Sequence, residues 1–209
     1  MTRSSRDRGL LRRTAAALGL ALLLCSCGES TARDATDTTG PRSTDYLITS
    51  ESLPTGWGDS NSQGVDYRVD VCGVDLEPEP PVRATSVRFS EGPLGPFLEE
   101  HVRVYDSDLV SGVIDQLRAA LADCTGYTAS GSRPDSPEAR FIVKPLSVDG
   151  APEDSVAWRQ TSQGRIPITA DLLLIRRGDA AVMLMSYAIR AVPDPAVLAA
   201  AAAAVPEGE

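Results

Sequence analysis

Residues 168–189 read ITADLLLIRRGDAAVMLMSYAI, two runs that are apolar at consecutive positions and are separated by Gly178-Asp179. A strand with one wet face alternates apolar and polar residues, whereas these runs ask for cover on both faces, as in the middle of a packed sheet. The short polar tip joins them as a tight hairpin, so they pair antiparallel. Whatever else the chain does, it must build a sheet around this hairpin and supply enough apolar surface to cover it.

Four further segments carry strand signals. Residues 82–89 (VRATSVRF) and 98–105 (LEEHVRVY) alternate apolar and polar side chains, with turn residues SEGPLGP between them; 139–146 and 155–161 follow. Alternation predicts one buried and one wetter face for 98–105, with Glu99, His101, Arg103 and Tyr105 on the polar side. In 107–124, Leu109, Val113, Leu117, Leu121 and Cys124 fall on a helical stripe. Residues 194–205 open with Asp at a cap and Pro at the first helical position, then run through alanines as a C-terminal helix. A short helix and a Pro-Thr-Gly-Trp turn over 45–59 would lay Trp57 on the core, and the acidic, proline-rich 60–81 is expected to be irregular. The expected fold class is therefore α+β, an antiparallel sheet of about six strands with helices on one face, in a single domain over 45–209.

The N-terminus is a separate device. Five arginines (Arg3, Arg6, Arg8, Arg12, Arg13) precede an apolar run from Thr14 to Leu24, the pattern of a secretory leader too short to span a bilayer. Leu24-Cys25-Ser26-Cys27 resembles a bacterial lipobox, which makes 1–26 a leader and Cys27 the lipidated residue, with palmitate-type acyl chains. More than one chain is needed for durable anchoring. Residues 27–44, rich in Thr, Ser, Asp and Gly, read as a flexible tether holding the domain roughly 20 to 25 Å from the anchor. Localisation follows as the outer face of a cell membrane.

Removing 1–26 takes five arginines and one aspartate, leaving 15 basic and 28 acidic side chains. So acidic a domain is a poor partner for nucleic acid. Apart from Lys144 every basic residue is arginine and alanine is abundant, which suggests a high-GC genome. The two cysteines of the domain, Cys72 and Cys124, would sit in an oxidising compartment and are expected to form a disulfide.

LPTGW, a Cys after an acidic irregular stretch, VRVYDSDLVSGVIDQLRAALADC and LLLIRRGDAAVMLMSYA together resemble the PknH-like extracellular sensor-domain family of actinobacterial lipoproteins and kinase outer domains. The resemblance covers roughly 45–205. It implies a cleft-bearing, disulfide-held α+β domain that senses or binds an extracellular ligand. The chain departs from kinase sensor domains in having one possible disulfide, where these often have two, and in carrying no kinase.

Chemistry-bearing motifs are sparse. His101 is the sole histidine, so any Ser-His or Cys-His mechanism has to use it; its place in an alternating strand reads first as a solvated sheet face. WGDSNSQG (57–64) superficially matches the Gly-Asp-Ser block of some esterases, which need a C-terminal Asp-His pair that this chain lacks. Arg177-Gly178-Asp179 is explained by the hairpin tip. Asp66, Asp70, Asp75, Glu77 and Glu79 lack the ligand spacing of a calcium loop, and no phosphate-binding glycine motif occurs. The expectation is a non-enzymatic domain without metal or cofactor, its ligand face on His101, Arg103 and Tyr105. Its partners would be the membrane through the lipid, and a small or lipidic ligand or an envelope protein; the alternatives are a lipid carrier and an accessory subunit of an envelope complex.

Overall fold

The computed structural model describes residues 41–208 except 62, 63, 66 and 131–137. Cys27, the leader 1–26 and the tether up to residue 40 lie outside the described residues. Residues 41–44, expected in the tether, are part of the domain: Ser43 is buried in a 3-10 turn (Ser43–Tyr46), and Arg83 Nη1 donates to the Pro41 carbonyl at 2.9 Å. A second turn, Ser50–Ser52, completes what the sequence suggested as one short helix. Tyr46, Ile48 and Leu53 are buried and Trp57 packs beside them.

In chain order the strands are β1 (Gly58–Asp59), β2 (Asp70–Val71), β3 (Val74–Asp75), β4 (Arg83–Ser90), β5 (Phe97–Val104), β6 (Gly126–Ala129), β7 (Ala139–Pro145), β8 (Ser155–Gln163), β9 (Ile168–Arg177) and β10 (Ala180–Ile189). Helices α1 (Leu109–Leu121) and α2 (Pro195–Ala204) follow β5 and β10. Eight strands form one sheet in the order β1-β4-β5-β10-β9-β8-β7-β6 with antiparallel neighbours, and β2 and β3 form a separate ribbon. The expected α+β class holds, but the sheet has eight strands and not about six. The additional ones, β1 and β6, are too short for a two-residue period to register.

The hairpin β9–β10 lies in the middle, as its double-sided apolar pattern requires. Leu172, Leu174, Met183 and Met185 pack on one face against Val110, Val113, Ile114 and Leu117 of α1. Leu173, Ile175, Val182 and Leu184 pack on the other against Val197, Leu198, Ala201 and Ala202 of α2. This corrects the one-sided placement of the helices. Residues of both parities in β9 and β10 are apolar, and one layer of helix covers only one parity. Asp194 caps α2 through its carboxylate, which accepts the Ala196 N–H at 2.9 Å, and Pro195 takes the first helical position.

Cys72 and Cys124 are joined, with Cα atoms 6.1 Å apart. The bond ties the turn of the β2–β3 ribbon to the C-terminal end of α1. Cys72 and Gly73 have φ of 55° and 80°, the positive pair that a two-residue turn of this hand demands.

Candidate functional site

The polar side of β5 is buried, contrary to its expected solvation. Residues 64, 65 and 67–77 lie across the α1 face of β4 and β5 and cover it. Glu99 is fully buried and His101 only 5% exposed. Gly64 makes the close approach possible: a Cβ there would collide with the Glu99 carboxylate and the Arg88 guanidinium. The neighbouring Val65 N–H can then donate to Glu99 Oε1 at 2.9 Å, and Tyr187 Oη donates to the same oxygen at 2.8 Å.

Strand register brings the remaining groups together. Ser86 lies opposite His101 and Arg88 opposite Glu99. Ser86 Oγ is 2.9 Å from His101 Nδ1, and His101 Nε2 is 3.1 Å from Glu99 Oε2. Arg88 Nε stands 3.4 Å from Glu99 Oε2 without aligning to donate. Beyond His101, Arg103 Nε donates to Glu77 Oε1 at 2.9 Å, and the Tyr67 hydroxyl donates to that same oxygen. The Tyr67 and His101 rings are in tilted contact, centroids 4.9 Å apart. Burial is the main reason the Tyr67 hydroxyl is held far above its ordinary pKa, and Glu77 adds to it.

Tyr67, Val69, Glu77, Ser86, Arg88, His101 and Arg103 line an open cleft of about 210 Å³. Of the three ligand residues expected from the sequence, His101 and Arg103 stand in it. Tyr105 does not: its ring belongs to the core under α1, and its hydroxyl is buried without a hydrogen-bond partner. Desolvation first, and then the nearby Glu77 carboxylate, push that hydroxyl up to about 12. Ser86, Arg88, Glu99, Glu77 and Tyr67 were missed as site residues. The Ser-Val-Arg alternation of β4 carried a signal for two of them, once its register against β5 is known.

The other motifs resolve into structure. Asp70 and Asp75 accept backbone N–H groups of Gly73 and Glu77 in local turns. Asp66 lies outside the described residues, and among those described no three His, Cys, Asp or Glu side chains are grouped to hold a metal. Asp59 of the Gly-Asp-Ser block pairs with Phe89 in the sheet. Arg177 is 9% exposed and reaches the Pro206 carbonyl, so Arg177-Gly178-Asp179 is not presented as a free string.

The opposite face of β5 carries a second fully buried carboxylate, Glu100. Its Oε2 accepts the Ile48 N–H at 2.9 Å and its Oε1 has no partner. Burial raises its pKa from 4.5 to about 7, partly offset by the Ile48 hydrogen bond. The folded domain therefore holds this proton more tightly than the unfolded chain. Below pH 4.5 both states carry it; as pH rises toward 7 the unfolded chain ionises first and folding stability falls by about 3 kcal/mol before levelling off. We expect chemical-denaturation midpoints of Glu100→Gln to lose this component between pH 5 and 8. A parallel decline in the variant would exclude Glu100 as its source.

No described protein family matches the sequence, and no curated protein does. Among solved structures, the extracellular domain of PknH from Mycobacterium tuberculosis superposes with a TM-score of 0.50. The two share a fold. The superposition covers 78% of this chain and 95% of that one at 13% sequence identity, so the likeness concerns backbone architecture.

Proposed function

We propose that this chain is a lipid-anchored domain on the outer side of a membrane that takes a small extracellular ligand into the β4–β5 cleft. The observation carrying the reading is the concentration of polar groups on that face. A sheet face covered only for stability would be apolar, because each buried polar group has to be matched with a partner at some cost. Here two glutamates, a histidine, a serine and two arginines converge where the covering segment leaves an opening. The lipobox-like run ending at Cys27 and the architecture shared with the extracellular domain of PknH support the outward placement. Recognition of a ligand, with no cofactor, is the role we assign.

The cleft favours a small ligand over a lipid tail, since 210 Å³ falls short of the roughly 300 to 1,000 Å³ of drug-sized sites. A mostly apolar cavity beside Val65, Phe141, Ile168 and Met185 offers about 230 Å³, which is likewise small for an enclosed acyl chain. Native mass spectrometry of the protein released from its own host should show a defined extra mass that is lost in Arg103→Ala. A bare mass that persists after addition of envelope extracts would move the assignment to a protein partner.

A further inference from the structure

We infer that Ser86 is an activated nucleophile, and that the ligand taken by this cleft is an acyl donor, a small carboxylic ester or similarly activated acyl compound. The inference rests on reading the cleft as the ligand site, and adds the chemistry. The proposal takes Glu99 as the ionised acceptor and His101 as the neutral imidazole. Nε2, 3.1 Å from Glu99 Oε2, then carries the ring proton. In that tautomer Nδ1 is the lone-pair nitrogen, and Ser86 Oγ at 2.9 Å is placed to donate its proton to it. A hydroxyl aimed at a neutral imidazole that is held by a buried carboxylate is the arrangement that activates serine for acyl transfer.

The surroundings suit this use. Glu99 cannot turn away, because Val65 N and Tyr187 Oη both hold Oε1. Tyr67 packs against the imidazole, with ring centroids 4.9 Å apart, and so supports the ring from one side. Ser86 itself is exposed and lines the cleft, so a ligand carbonyl can reach Oγ without displacing the covering segment. Arg88, two residues along the same strand, lines the same opening and offers a cation near which an oxyanion can form.

In the step proposed, Oγ bonds to the carbonyl carbon as its proton passes to His101 Nδ1. The tetrahedral species then collapses by breaking the bond to the leaving alcohol, which takes the proton from Nδ1, leaving an ester on Ser86. Glu99 acts as a positioning residue. Water attacking that ester, its proton again taken by Nδ1, would return free serine and a carboxylic acid.

A fluorophosphonate probe tests the nucleophile directly, since Oγ forms a bond to phosphorus as fluoride leaves. With the full chain in detergent, we expect a single adduct mapped by peptide mass spectrometry to Ser86 and absent in Ser86→Ala. His101→Gln should slow labelling about 100-fold or more, the scale of a general base. Glu99→Gln should alter the pH profile of labelling, because a Gln NH₂ facing Nε2 moves the ring proton to Nδ1; a purely structural role would leave that profile in place. No Ser86 adduct, or labelling no faster than in the urea-unfolded chain, would overturn the inference. A bound mass without any adduct would overturn it while leaving the binding reading intact.

Discussion

Replacing both Cys72 and Cys124 by alanine should lower folding stability by about 4 kcal/mol, the chain-entropy value for a loop closed across 52 positions. Against a total of about 5 to 15 kcal/mol for a single domain, that is a large share. The alanine pair isolates the cross-link: Cys72 has φ 55°, and alanine bears the same left-handed backbone cost there. Urea denaturation of the oxidised protein, the reduced protein and the double variant should give the last two coincident, lowered midpoints. The loss has a local side as well. Cys72 ties the β2–β3 ribbon to α1, and the segment it anchors carries Val65, Tyr67 and Glu77 over the cleft. Amide exchange at Val65 and Leu76 should therefore speed up more than exchange in β9 and β10. Equal midpoints for oxidised and double-variant protein would show that the ribbon is held by its apolar contacts alone.

The central hairpin was legible because its pattern is unbroken and both of its faces are apolar. The same pattern implied cover on two sides, and the helices divide between the two faces for that reason. Short elements were not legible: β1 is Gly58-Asp59 and β6 is Gly126–Ala129, held by their neighbours and not by any periodicity of their own.

The site was half legible. Alternation correctly put Glu99, His101 and Arg103 on one side of β5, but could not tell that this side is covered. The cover comes from residues 64, 65 and 67–77, which are mostly irregular, and Gly64 acts by lacking a side chain. Tyr105 was misread because β5 ends at Val104. One residue later the backbone N–H of Tyr105 turns to the Asp179 carbonyl at 3.0 Å, and the ring goes under α1. Ser86 was invisible as a partner of His101 because the register between two strands is a long-range property. It depends on where the turn between β4 and β5 closes, and nothing local to Ser86 records that.

Loss of the Arg159 guanidinium should cost more than loss of the carboxylate it binds. Arg159 in β8 lies directly across from Asp171 in β9, with Nε donating to Oδ1 at 2.5 Å and Nη2 to Oδ2 at 2.7 Å. The partners are unequally buried: the Asp171 side chain is 1% exposed and that of Arg159 27%. Arg159→Met therefore strands a carboxylate in the interior, for which about 3 to 5 kcal/mol is the expected penalty. Asp171→Asn leaves the guanidinium able to reach water and should cost less. Removing both groups, as Arg159→Met with Asp171→Leu, should recover much of the deficit, because two apolar side chains need neither charge nor hydrogen bonds. With Asp171→Leu as the second single variant, the double-mutant cycle read from urea midpoints would then show a coupling energy well above the roughly 0 to 1 kcal/mol of an exposed ion pair. If Arg159→Met were no worse than Asp171→Asn, the Asp171 carboxylate would be reaching water through the cavity it lines between residues 146–149 and α2. The assignment of this pair as a buried structural link would then fall.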